Sequence, residues 1–315
     1  MANGEIWKRQ RRFTLTTFRN LGLGKSSFEE LIVTECKELV KLLRNGDVQS
    51  FSPKDVFPNA SANIVCSFAF GRRYDYTDEE FKFLLDSIEK IDQRFREIAG
   101  AQIFVPFFKY LPTKRSRELH ENTKALVEFI DNIVTEHEAE FDPDCPNDYI
   151  DIFLKEIHTS PDGLLTRGNL RGTVTGLFFA GSGTTSNTMR WATYCMLKYP
   201  EIQMAVQSEL DAVVGADRLP THADKKLLPY TMATLLEIQR YGSTARFGIG
   251  HTAAEDTELF GYTITKGSYL IPNLWAVHHD PMLWDDPEEF QPTRFLNKDG
   301  DVEQPKEFIP FSIGR

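Results

Sequence analysis

The chain has 315 residues, 41% of them hydrophobic and 26% charged, with a formal net charge of −10. That is the composition of a globular protein with enough apolar matter for a large core, and its acidic balance excludes a nucleic-acid binder acting through its whole surface. No apolar run reaches the roughly 18 to 20 residues that span a bilayer, and the opening residues 1–7 contain no signal-peptide core.

The elements in chain order are mostly helical. Residues 28–45 show helical periodicity, with acids early and basic residues late. Residues 53–70 run from a turn into an apolar helix. A helix over 77–100 opens on Thr77 with acids behind it. Amphipathic helices follow at 115–141 and 148–158. The stretch 169–199 is about 30 residues long, more than twice the usual helix. Pro200 ends it, and further helices cover 201–214 and 229–241. Residues 260–271 alternate and carry a glycine turn, which predicts one small β-hairpin. From Pro272 onward the chain is rich in Pro, Asp and Trp and reads as an ordered meander. The fold class is therefore mainly α with minor β.

Four cysteines, Cys36, Cys66, Cys145 and Cys195, are widely and irregularly spaced. Reduced thiols are expected rather than a disulfide framework or a zinc site.

Several groups carry chemistry. Trp7 and Arg11 stand four apart on one helical face, where an indole N–H and a guanidinium suit a carboxylate or phosphate; a surface Arg beside a half-buried Trp is the alternative. The long helix contains Gly176-Leu-Phe-Phe-Ala-Gly-Ser-Gly-Thr-Thr185. Interior glycines cost a helix roughly 1 kcal/mol each. Close approach of a ligand to the backbone, with the Thr184 hydroxyl beside it, is one compensation, and tight helix packing is the other. Glu237 and Arg240 share a face in an apolar setting, and Arg294 is a plausible third member. His251 stands alone.

The order of these motifs is more specific than any one of them. Trp7-x-x-x-Arg11, Ala180-Gly-x-x-Thr-Thr185, Glu237-x-x-Arg240, Phe290-x-Pro-x-Arg-Phe295 and Pro310-Phe-Ser-x-Gly-Arg315 together resemble the cytochrome P450 superfamily of haem-thiolate monooxygenases. Phe68-Ala-Phe-Gly-Arg-Arg-Tyr-Asp75, Lys198-Tyr-Pro-Glu201 and His278-His-Asp-Pro281 fit the microsomal animal group called family two. The resemblance covers essentially the whole chain and implies a single cytochrome P450 domain over residues 1–315, truncated at both ends, with a long central helix across the haem.

By that resemblance the cofactor is haem b, iron protoporphyrin IX. Trp7, Arg11 and His251 would contact its propionates. Ala180, Gly181 and Thr184 would lie on its distal face, with Thr184 placing the water that supplies protons for O–O cleavage. Glu237, Arg240 and Arg294 would brace the other side without being catalytic. Phe178, Phe179, Ala180, Thr244, Phe247 and Ile249 would line a pocket for a lipophilic small molecule. Electrons would come from NADPH through cytochrome P450 reductase, with cytochrome b5 a further partner, near Lys8, Arg9 and Arg12. The location implied is the endoplasmic reticulum membrane, reached through an N-terminal anchor and through the apolar run 102–111.

Two departures stand out. No cysteine in the chain occupies the ligand context, so there is no metal ligand here, and the axial Cys is expected beyond Arg315. Gly183 stands where the family usually has Asp or Glu for proton relay. The 315-residue chain by itself is expected to be inactive. The rival expectation is a haem-free pseudoenzyme acting as a binding or interaction module; a helical scaffold unrelated to haem would not explain the ordered motifs.

Overall fold

Side-chain chemistry fixes most helix starts. In the computed structural model, which describes residues 4–24, 26–45, 51–104, 113–160 and 163–313, Pro53, Pro200 and Pro229 each occupy the first turn of a helix. There the missing N–H costs nothing and the fixed φ is already helical. Thr113 and Asp148 cap two more, accepting from Ser116 N at 3.1 Å and Asp151 N at 2.9 Å. Each such cap contributes on the order of 1 kcal/mol.

The described residues cluster into two compact units, Met1–Ser186 and Asn187–Arg315. The first holds α1 (Gly4–Asn20), α2 (Ser26–Asn45), α3 (Pro53–Ala69), α4 (Glu79–Phe104), α5 (Lys114–Glu140), α6 (Tyr149–Thr159) and the first part of α7 (Arg167–Lys198). Aromatic side chains join these helices. Phe13 meets Phe153 edge-on at 5.1 Å, Phe18 meets Phe68 at 4.8 Å, and the Thr14 hydroxyl lies 2.8 Å from that of Tyr149. Buried Asn63 reads both backbone groups of Tyr74, donating to its carbonyl and accepting its N–H at 2.9 Å each.

Gly71 ends the third helix at φ +67°, and a β-carbon there would sit 2.7 Å from Asp148 Oδ2. That carboxylate is committed twice, to the α6 cap and to His137 Nε2 at 2.9 Å. His137 Nδ1 faces the Ile133 carbonyl at 2.8 Å. Both ring nitrogens therefore face acceptors, and the imidazolium is favoured. Burial pulls the pKa down, but the carboxylate and carbonyl outweigh it and raise the pKa to about 9.

The second unit holds the end of α7, α8 (Pro200–Val213), α9 (Pro229–Gly242), α10 (Leu274–His278), 3₁₀ turns at His222–Leu227 and Pro292–Phe295, and four short strands. The single hairpin expected over 260–271 is two pairings instead. β2 (Thr257–Leu259) pairs with β3 (Tyr262–Ile264), while β4 (Tyr269–Leu270) returns to β1 (His251–Thr252). The reason is turn geometry. Phe260 and Gly261 both have positive φ, +51° and +81°, as a tight two-residue hairpin turn requires, so the partner strand lies before Phe260. The mainly α, minor β class stands. The apolar run 102–111 lies outside the residues whose side chains are described.

Candidate functional site

In the first unit, Trp7 and Arg11 lie on an open face of α1. Trp7 is 49% exposed, and the Arg11 guanidinium carbon sits 5.6 Å from its ring centroid. An exposed cation–π contact is worth about 0.5–1 kcal/mol, less than a charge-assisted bidentate bond to a carboxylate. An arriving anion would therefore recruit Arg11 from it. The neighbours differ from expectation. Arg9 is half-buried and engaged with Glu156 and Ser160, and Lys8 is paired with Glu5. Helical spacing turns Arg9 toward α6, while Arg12 stays exposed.

α7 shows two faces. Leu170, Val174, Phe178, Ser182 and Ser186, each four apart, are buried. Gly176, Ala180, Gly183 and Thr184 are exposed. A β-carbon added at Gly176 or Gly183 would meet nothing within 4 Å. This leaves an open, flat face of small residues, with the Thr184 hydroxyl donating to the Ala180 carbonyl at 2.7 Å. Gly181 is a correction. A β-carbon there would lie 2.7 Å from Val65 Cγ2, and the adjacent Ser182 carbonyl accepts from Ser61 Oγ at 2.7 Å. Its missing side chain brings α7 against α3; it does not open the exposed face. Phe178 is also a correction. It is completely buried and stacks on Phe70 at 6.1 Å, so it belongs to the core and not to a pocket wall. Phe179 is half-buried against the same core.

In the second unit, Glu237 and Arg240 are completely buried and fully partnered. Arg240 Nε and Nη2 donate to the two Glu237 oxygens at 2.7 and 2.8 Å. Nη1 donates to the carbonyls of His278 and Pro287, and Nη2 also to that of Glu289. All five guanidinium N–H groups are used, which is what a buried charge needs. Arg294 Nε and the Gln291 N–H complete the Glu237 carboxylate at 3.2 and 2.9 Å. The side chains expected as a triad are brought together, and no donor of Arg240 is left for a substrate.

Two members of this network were not legible as such. Trp284 lies 5.4 Å from the Arg240 guanidinium, and its indole N–H donates to the Val277 carbonyl. His278 Nε2 accepts the Ile309 N–H at 3.1 Å, which leaves Nδ1 to donate to Ser243 Oγ at 3.2 Å. Burial first, and then the Arg240 charge, pushes the His278 pKa down to about 4. The only sequence signal was its place in His278-His-Asp-Pro281.

The segment after α9 carries the remaining candidates. Thr244 is exposed, with its hydroxyl near Asn187 and Thr188. Phe247 and Ile249 are 60% and 83% exposed, and His251 is exposed in β1. Burial raises Cys66 well above the ordinary thiol value and Cys195 to about 12; Cys36 is raised by burial and by Glu35. A ligating thiolate needs the opposite shift. Cys145 is exposed, and its sulfur lies 3.9 Å from the Asn147 side chain. The exposed Trp7 and Arg11 could thus hold a carboxylate, and the small-residue face of α7 could admit a flat group.

The comparisons with known proteins agree with one another. The family model described as Cytochrome P450 matches residues 1–315. Cytochrome P450 2U1 of Rattus norvegicus is 39% identical over 323 residues, covering 99% of this chain and 60% of the relative. Cytochrome P450 2J3 of Rattus norvegicus is 39% identical over 319 residues, covering 100% and 63%. Cytochrome P450 2U1 of Homo sapiens is 37% identical over 321 residues, covering 99% and 58%. The chain spans about three fifths of the length of these relatives.

Proposed function

The chain belongs to the cytochrome P450 family, and on that premise we propose that the protein carrying it is a haem-dependent monooxygenase that inserts one oxygen atom from O2 into a lipophilic substrate. The observation that supports this most is the open face of α7. Small residues clear a flat surface there, and one hydroxyl, that of Thr184, stands on it. Haem bound at that face supplies the oxidising chemistry, which the surrounding polypeptide tunes through ligand, protons and access.

The chain's own residues then have separable tasks. Within the first unit, Trp7 and Arg11 would donate to the propionates. Ala180 and Gly183 keep side-chain bulk away from the bound group. Thr184 holds a proton at its hydroxyl, at the surface where protons are consumed. Gly183 supplies no acid, so proton delivery there depends on solvent rather than on a carboxylate. The Glu237–Arg240–Arg294 network makes the second unit rigid and takes no part in the reaction. The thiolate ligand, the NADPH–cytochrome P450 reductase, a cytochrome b5 partner and an endoplasmic reticulum location on its cytoplasmic face belong to this reading of the whole protein. No cysteine of the chain stands in the family's ligand context, so the isolated chain is expected to be inactive.

Absorption spectroscopy of the full-length protein tests this. The expected result is a Soret band whose reduced, CO-bound form has the position typical of thiolate ligation. Trp7→Ala and Arg11→Ala should lower haem retention without unfolding the chain. The second reading, a haem-free pseudoenzyme, is favoured by Gly183 alone. Purified full-length protein that takes up no haem would establish it and overturn the first.

A further inference from the structure

The first unit carries a cleft that has no part in the proposed oxidation. Its volume is about 400 Å³, within the roughly 300–1,000 Å³ typical of small-molecule sites. Its walls come from the end of α2, the start of α3 and the loop between α3 and α4. Part of the lining is apolar. Leu42, Leu43 and Phe51 are exposed there, and Val56 of α3 lies with them. An aliphatic chain laid on these side chains would take its own apolar surface and theirs out of water.

The rest of the lining is polar, and it is held in place. Glu35 is buried behind it with both oxygens taken: Oε2 accepts from Arg73 Nε at 2.7 Å, and Oε1 accepts from the Tyr76 hydroxyl. The Arg73 guanidinium carbon also lies 5.1 Å from the Tyr76 ring centroid. Carboxylate, ring and guanidinium fix one another, so Arg73 has little rotamer freedom left to lose on binding a ligand. Its bond to Glu35 uses Nε. The two terminal nitrogens, with four N–H donors between them, make no bond to that carboxylate. Lys41 is a second cation of the lining. Its Nζ lies 3.7 Å from Glu38, beyond hydrogen-bond reach, and such an exposed pair parts at little cost. Asp75, the other acid here, already accepts the Thr77 N–H and hydroxyl on Oδ1, at 2.8 and 2.5 Å.

We propose that this cleft binds a single-chain amphipathic carboxylate, with its head on the terminal nitrogens of Arg73 and its chain along Leu42, Leu43, Phe51 and Val56. The planar fork of Arg73 matches the two oxygens of a carboxylate, and Lys41 adds a second positive charge beside it. Among the described residues no wall of the cleft belongs to α7. The bound molecule is therefore an effector of the fold and not the compound presented to Thr184. The inference stands on the geometry of the first unit and does not depend on haem or on oxidation.

Photo-crosslinking of the full-length protein tests it. The probe is dodecanoate carrying a diazirine near its methyl end, compared with its methyl ester, which has the same chain and no charge. After irradiation, digestion and mass spectrometry, the carboxylate should mark residues 42–56 about tenfold more than the ester at equal concentration, as loss of a charge-assisted hydrogen bond predicts. Arg73→Lys keeps a cation for Glu35 but loses the fork, and it should bring the two probes within about threefold. If thermal unfolding shows that this variant has lost its fold, Leu43→Glu takes its place. That exposed position leaves the Glu35–Arg73 pair untouched, and an added carboxylate in the cleft should abolish labelling of 42–56 by dodecanoate. Absence of label in 42–56, equal labelling by the ester, or labelling undiminished in the folded variant each overturns the proposal.

Discussion

At the residue scale, two histidines carry opposite pH signatures for physical reasons visible around each ring. His137 is held between two acceptors and its pKa is raised to about 9, so its contribution to stability is present below the ordinary value near 6.5. That contribution is lost as pH rises through about 9. The difference in melting temperature between the chain and His137→Gln should therefore shrink between pH 7 and pH 10, and a constant difference would contradict the ion pair with Asp148. His278 is neutral in the fold, with a pKa near 4, so its contribution is present above pH 6.5 and lost as pH falls toward 4. Glu237 is a harsher case. Glu237→Ala leaves the Arg240 charge completely buried beside backbone carbonyls, at a cost of about 3–5 kcal/mol. That is a large share of any domain's stability. Denaturant titration should show the alanine variant unfolded or severely weakened, and Glu237→Gln, which retains acceptor and donor atoms, should lose less.

At the scale of the element, α7 divides its glycines between two jobs. Gly176 and Gly183 look onto open space, so alanine there should add up to about 1 kcal/mol through helix propensity alone. Gly181 lies against Val65, and alanine there forces α7 and α3 apart, an overpacking that costs about 1–3 kcal/mol. Melting temperatures of the three single variants should therefore rise, rise and fall. Stabilisation by Gly181→Ala would remove the packing account. The same helix explains why Phe178 misled: Phe179 meets the core only in part and Ala180 is exposed, because residues adjacent in sequence stand about 100° apart around a helix.

At the scale of the molecule, a chain of net charge −10 begins with a helix bearing five basic residues, Lys8, Arg9, Arg11, Arg12 and Arg19, against one acid, Glu5. A cationic element on an acidic chain suits an acidic electron donor, and steering of that kind weakens with salt. In the proposed enzyme, reduction by the reductase should slow as ionic strength rises, and Arg12→Glu should slow it further at low salt. Stopped-flow reduction rates that do not respond to salt would remove α1 as the docking surface.

The order of motifs along the chain determined the family, the helical class and the identity of the buried triad, because each rests on residue type at a fixed helical spacing. Sequence spacing also placed Trp7 beside Arg11. Tertiary structure alone decided the rest. Which α7 glycine packs and which stays open depends on the position of Val65. Whether Phe178 is pocket or core depends on Phe70. The pairing of β4 with β1 depends on two positive-φ residues at 260 and 261. For Gly181 and Phe178 the deciding neighbour is remote along the chain, and local pattern carries no information about it until the chain has folded.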